Sequence, residues 1–346
     1  MSITWTAAMK HHEQEAHGGV TASAPAGHCY AMYGRRVYSE VRLPVPLVLD
    51  DGLAARDWAI LRADPAQVPP SPGGPPMVEQ RDPDGTPYDR FFRSGGEAWL
   101  VDRQAGTCHL EPHAGRITVY PVPGADEDDL GLLLLGPVSS FMLHQTGHPN
   151  LHASAVVTQD GACAFIGPST LGKSTMAASL LLRGARLLTD DILPLRFRPD
   201  GVYGMPGAPM MKVWPATAQH TLDIAEELPR LTTYTDKRLL RLDEHQYVFE
   251  NRETYLRAIY ILQRYDPAQA GHTEVRIEVL TPRDAALALL SQTFRGSFLL
   301  TSELVELLAR YQQLVRQARV AIVHLPHGLE YRDAVSARVL QDMVTT

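Results

Sequence analysis

The amino-acid sequence predicts an α/β protein in two parts, a smaller β-rich N-terminal domain and a larger domain whose strands and helices alternate on a mixed sheet. Three observations carry that expectation. Short extended runs separated by turn residues fill the stretch before residue 123, and apolar strands alternate with amphipathic runs of helix length after residue 150. A glycine-rich turn over 167–174 joins one of those strands to a helix. The chain has 346 residues, 45% of them hydrophobic, enough for two ordinary cores.

Residues 1–27, rich in Ala, Gly, His and Ser without periodicity, are expected to form a flexible arm. The β-rich domain is assigned to 28–149, with extended runs at 30–43, 58–62, 88–93, 98–102 and 117–122 read as an antiparallel sheet. Eight prolines from Pro65 to Pro87 deny ladder hydrogen bonds, so that stretch reads as an exposed loop. Residues 126–148 are apolar enough for a buried helix that closes the domain, despite Gly136-Pro137 within it.

The second domain, 150–346, opens with buried strands at 153–157 and 162–166 joined by the turn Gln159-Asp160-Gly161. A helix over 173–183 ends at Gly184, and one strand over 186–195 runs through Asp190-Asp191. Strands at 255–263, 275–280 and 320–325 and helices at 282–293, 302–319 and 333–344 complete the alternation.

A formal charge of −7 provides no basic field for nucleic acid. The longest apolar run, 130–138, contains Gly131, Gly136 and Pro137 and falls far short of the roughly 20 residues that span a bilayer. No signal-like apolar stretch follows Lys10, His11 and His12, and a cytoplasmic location is expected. Cys29, Cys108 and Cys163 are odd in number and far apart, which fits reduced, buried thiols better than a disulfide framework or a zinc site. The chain has four lysines, Lys10, Lys173, Lys212 and Lys237, against 28 arginines, so the place of each lysine is informative.

The strongest local signal is Gly167-Pro168-Ser169-Thr170-Leu171-Gly172-Lys173-Ser174, a G-x-x-x-x-G-K-[ST] phosphate-binding loop followed by Thr175. Strand, loop and helix in that order aim free backbone N–H groups and a positive helix end at a phosphate. Gly167 and Gly172 permit close backbone approach, Lys173 neutralises β- and γ-phosphates, and the Ser174 hydroxyl ligates Mg²⁺. Such a loop specifies nucleotide binding without choosing among kinase, ATPase, GTPase or motor. Asp190 and Asp191 end an apolar strand next to the loop strand, where a carboxylate can take Mg²⁺ or accept the proton of an attacking hydroxyl.

The spacing of these residues resembles the HPr kinase/phosphorylase group of bacterial serine kinases and its HPr-kinase-like relatives. His152 precedes Gly167 by fifteen residues and Asp190 follows Lys173 by seventeen, and the resemblance covers roughly 151–195. It implies a P-loop kinase domain of HPr-kinase-like type that uses ATP and Mg²⁺. By the same resemblance Asp190 is the catalytic base, His152 tunes that carboxylate, and Asp191 joins Ser174 near the metal. Ser169-Thr170-Leu171 replaces the family's Ser-Gly loop interior, and the later glycine- and glutamate-containing signature has no match. These departures point to the divergent branch that includes kinases encoded with lasso-peptide biosynthesis. The pattern Tyr33-Gly34-Arg35 to Ser39-Glu40 and Leu43-Pro44 is similar to the start of those relatives.

The expected activity is therefore transfer of the ATP γ-phosphoryl group to a hydroxyl, a serine of a peptide or small protein. The rivals are a small-molecule hydroxyl kinase and a nucleotide-binding regulatory module with little turnover. Oligomeric state is left open, a homo-oligomer included. Lys212 and Lys237 are candidates for nucleotide or peptide anions, and Trp214 reads as a packed aromatic. His144 and His148 have metal-ligand spacing but no H-E-x-x-H pattern, and are read as structural.

Overall fold

The computed structural model describes residues 27–48, 56–224, 226–232 and 235–345. The arm expected over 1–27 lies outside these residues apart from Gly27. The architecture is α/β, with mixed sheets and helices packed against them.

The first sheet contains β1 (His28–Met32), β2 (Arg35–Ser39), β3 (Trp58–Arg62), β4 (Val78–Arg81), β5 (Pro87–Ser94), β6 (Glu97–Asp102), β7 (Gly106–Glu111) and β8 (Arg116–Pro121). Its order is β1-β2-β3-β8-β7-β6-β5-β4. It is mixed rather than antiparallel throughout, because β3 runs parallel to both β2 and β8. The run expected over 30–43 is a hairpin broken at Tyr33-Gly34, both with positive φ. The proline-rich stretch holds a short edge strand, β4, where lost ladder donors cost least.

The single helix expected over 126–148 is two, α1 (Glu127–Leu133) and α2 (Ser139–Gln145). Asp126 caps α1 by accepting from the amides of Asp128 and Asp129. Gly136 leaves helical geometry (φ −96°, ψ −107°) and Pro137 has no N–H to donate, so the chain makes a wide turn over 134–138. Ser139 Oγ donates to the Leu134 carbonyl at 2.6 Å and satisfies an acceptor freed by that turn.

The remaining elements run β9 (Asn150–Thr158), β10 (Gly161–Ile166), α3 (Lys173–Leu181), β11 (Arg186–Thr189), β12 (Ile192–Arg198), β13 (Gly201–Gly204), β14 (Met210–Val213) and α4 (Pro215–Thr221). They continue as β15 (Arg230–Thr232), β16 (Thr235–Arg241), β17 (Thr254–Tyr265), α5 (Pro267–Ala270), β18 (Arg276–Val279), α6 (Pro282–Ser291), α7 (Thr301–Leu314), β19 (Arg319–Pro326) and α8 (Arg332–Val344). The helix expected over 302–319 stops at Leu314, and Arg319 already belongs to β19.

The second sheet has the path β10-β9-β12-β13-β17-β19-β18, with β11 on β9. Because β10 also pairs with β17, the strands β9, β10, β17, β13 and β12 form a closed circuit of pairings. Parallel β10, β17 and β19 therefore end on one side, where loops after strand carboxyl ends gather functional groups. Antiparallel β9 begins on that same side, Ala153 facing Ile166 at the end of β10. A separate small sheet, β14-β16-β15, stands beside it.

Three apolar cores fill the molecule. The first joins residues of the early sheet and of α1 and α2 to Ile192, Ala208, Met210 and Phe298 from the later half. Phe91 and Phe298 stack with ring centroids 3.9 Å apart. Burying such a ring stabilises by about 2–3 kcal/mol. No helix among the described residues is long and apolar enough to cross a membrane.

Candidate active site

The loop over 167–172 leaves β10 and delivers the chain into α3, whose first amides have no acceptor within the helix. Gly167 (φ 139°) and Gly172 (φ 97°) adopt backbone geometry that a side chain would strain. A Cβ on Gly172 would also lie 2.9 Å from Nη2 of Arg264. Thr170 has φ 72°, uncommon for a β-branched residue. Of the five non-glycine residues with positive φ among those described, Thr170 and Asp191 line one cavity. Strain of this kind gathers where the surroundings hold a site in shape.

Lys173 is buried, and its Nζ donates to the carbonyls of Gly167 (2.8 Å) and Pro168 (3.4 Å). Burial pushes its pKa down, against the opposing pull of Asp191 and Asp190. Ser174 faces Asp190, and Thr175 Oγ1 lies 3.0 Å from Thr217 Oγ1, which ties α3 to α4.

The strand expected over 186–195 breaks at the aspartates. β11 and β12 both pair with β9, in one line; the register shifts between Leu187 and Thr189, and residues 190–191 form an irregular step outside both strands, Asp191 with positive φ. In a regular strand neighbouring side chains point to opposite faces. Asp191 (φ 83°) interrupts that alternation, and both carboxylates line the same cavity as the loop.

Asp190 is nearly buried and its two oxygens hold three donors. Oδ1 accepts from Ser154 Oγ (2.5 Å) and Ser174 Oγ (2.9 Å), and Oδ2 accepts from the Lys212 amide (2.8 Å). Asp191 Oδ2 meets Lys212 Nζ at 2.6 Å, and His152 Nδ1 lies 3.1 Å from the Asp191 backbone carbonyl and 3.2 Å from its Oδ1. Burial raises the Asp191 pKa, but the Lys212 ammonium and His152 outweigh it and hold the carboxyl well below the usual range. The His152 ring packs edge-on against Phe294 at 5.2 Å.

The structure thus gathers His152, Ser169, Thr170, Gly172, Lys173, Ser174, Thr175, Asp190 and Asp191 around one cavity, with Gly167 and Leu171 in the loop that frames it. The pairings differ from those expected. Ser174 bonds Asp190 rather than standing with Asp191, and His152 bonds Asp191 rather than Asp190. Lys212, Lys237 and Trp214 line the same cavity, Lys237 Nζ lying 5.8 Å from the Trp214 ring centroid. Trp214, expected to be packed, is 39% exposed.

Two further residues were given no role at the site by the sequence. Ser154 stands two residues after His152 on β9, and the period of 2 places both toward the aspartates. Tyr33 comes from the early sheet; it is buried, donates its hydroxyl to the Leu135 carbonyl at 2.6 Å, and its pKa is raised by burial and by Asp191 and Asp190. Nothing local in the sequence marks that approach.

Among the described residues no three His, Cys, Asp or Glu side chains converge as a protein-only metal cage. Mg²⁺ needs no such cage, since one or two carboxylates with phosphate oxygens and water suffice. The hydroxyl of Ser174 and the carboxylate of Asp190, hard oxygens 2.9 Å apart, fit that chemistry. A second cavity shares Gly172 and Thr175 with the first and is lined by Met176, Arg264, Leu329 and Arg332.

No protein-family model and no curated protein matches the chain. Among solved structures it is similar to the Hpr(Ser) kinase/phosphatase from Coxiella burnetii, at 12% identity and a TM-score of 0.30, over 57% of this chain and 97% of that one. At that score the likeness bears on neither fold nor function.

Proposed function

We propose that the chain is a P-loop kinase of HPr-kinase-like type that binds ATP with Mg²⁺ and transfers the γ-phosphoryl group to a hydroxyl, a serine of a peptide or small protein such as a lasso-peptide precursor. One observation carries the reading: two adjacent carboxylates share the cavity that the loop lines but take different partners, Asp190 the Ser174 hydroxyl and Asp191 the His152 ring. A module that only binds nucleotide needs the first of these and has no use for the second.

The loop amides and Lys173 hold the phosphates, and the cavity beside Gly172 receives the nucleoside. Ser174 and Asp190 would hold the metal, which would supply charge neutralisation for the phosphates. Asp191 serves the acceptor. Its carboxylate takes the hydroxyl proton as the acceptor oxygen bonds to the γ-phosphorus and the bond from that phosphorus to the bridging oxygen breaks. The products are a phosphoester and ADP, with the proton on Asp191. This division reverses the one that the resemblance implied, because Asp190 is already committed to three donors, one of them a backbone amide.

The test supplies purified chain with Mg·ATP and serine-bearing peptides and measures ADP and phosphopeptide together. Equal yields of both are expected. Phosphorylation of a small alcohol and of no peptide would overturn the acceptor class, and ATP binding with no acceptor-stimulated turnover would leave the regulatory module standing.

A further inference from the structure

Lys212 is positioned unlike an ordinary surface cation. Its backbone is pinned in β14 by pairing with Leu239, and its amide holds Asp190. Its ammonium, on a flexible four-carbon stem, reaches Asp191 inside the cavity that the phosphate loop lines. Lys173, Lys212 and Lys237 all face that cavity, three of the chain's four lysines gathered against two carboxylates. Lys212 is the one whose ammonium occupies a carboxylate, 2.6 Å from Asp191. With the ammonium on one oxygen and His152 beside the other, both Asp191 oxygens are engaged, and the ion pair lowers the basicity that an incoming hydroxyl needs.

We propose that Lys212 is a shared cation: it holds Asp191 while the loop is empty or carries a diphosphate, and passes to the terminal phosphate when a nucleoside triphosphate enters, uncovering Asp191 for the acceptor. The inference rests on the nucleotide site proposed above. His152 makes the exchange feasible, because Asp191 keeps that partner after the ammonium leaves. Lys212 is a positioning residue in this scheme and a contact of the third phosphate only.

Calorimetric titration of wild type and Lys212→Gln with Mg·ADP and with a non-hydrolysable Mg·ATP analogue tests it. Losing a charge-assisted contact to the terminal phosphate is expected to weaken the triphosphate analogue about 10- to 100-fold, and ADP by less than about threefold. Lys212→Arg is expected to restore most of the triphosphate affinity. Equal weakening of both ligands, or of neither, overturns the proposal. Should Lys212→Gln fail to fold with Asp191 left unpaired, Lys212→Gln/Asp191→Asn compared with Asp191→Asn alone reads the same ratio. Wild type that binds neither nucleotide defeats the nucleotide site itself, and this proposal with it. Wild type that binds both, with a variant ratio unchanged, defeats only the role of Lys212.

Discussion

Ser174 donates its hydroxyl to Asp190 Oδ1 across 2.9 Å, linking the first turn of α3 to the step between β11 and β12. The bond sets a hydroxyl and a carboxylate side by side, with the Ser154 hydroxyl on the same carboxylate oxygen. Asp190→Asn keeps the shape and loses the charge that would face a divalent ion. Mg²⁺-dependent ATP affinity is expected to fall about 10-fold or more, while binding of ATP without Mg²⁺ changes little. Unchanged Mg²⁺ dependence would remove Asp190 from the metal.

Asp191→Asn is expected to show the opposite pattern. Turnover should drop about 10²- to 10⁴-fold, the range for a general base, with nucleotide affinity retained. If Asp190→Asn instead proves to be the pure turnover variant, the division of roles given by the resemblance is restored.

His152→Ala leaves Asp191 with Lys212 as its remaining side-chain partner. Turnover at saturating ATP is expected to fall while ATP affinity and melting temperature stay near wild type. A matched loss of affinity, turnover and stability would make His152 a structural residue.

Lys173→Ala is expected to abolish nucleotide-dependent phosphorylation, since β- and γ-phosphate charge is left uncompensated inside the loop. Normal turnover by a folded Lys173→Ala protein would sink the phosphate-loop assignment.

Acid should destabilise the protein in two stages. Burial pushes the pKa of His144 and of His148 down to about 4, His148 also facing Arg35 and Arg196. An unfolded histidine takes up its proton near pH 6.5 and the folded ones resist, so stability present above pH 6.5 is lost as pH falls toward 4. Glu303 is raised by burial but pulled down to about 2 by Arg93, Gln145 and the Leu300 amide. Its contribution is present above about pH 4.5 and disappears as pH approaches 2. Melting temperature followed from pH 8 to 3 should decline from about 6.5 downward, and His144→Gln should flatten the upper part of that decline.

The strand-loop-helix unit around 167–174 was legible because its pattern is local: two glycines, a lysine and a hydroxyl at fixed offsets, between a strand and a helix. The hairpin before it was equally legible from Gln159-Asp160-Gly161, and β9 and β10 pair there. The aspartates were visible as residues but not as geometry. The apolar residues flanking the pair, Leu187-Leu188 and Ile192-Leu193, read as one strand and give no sign of the break, which comes with the positive φ of Asp191. Lys212 belongs to a separate sheet and Tyr33 to a distant hairpin, so their approach is a product of packing that no window of sequence contains. The helix over 126–148 was read across Gly136-Pro137 because flanking apolarity was weighed above a missing N–H.

Ile192, Ala208, Met210 and Phe298 pack into the core of the first sheet. Excising the second half to study catalysis in isolation would strand those side chains in water, next to the turn that carries the aspartates. Such a fragment is expected to aggregate or to lose the step at Asp191, and its inactivity would report on dissection instead of chemistry. The two halves have to be inherited, expressed and engineered as one unit, and a chimera that swaps the early sheet must bring a matching surface for Phe298.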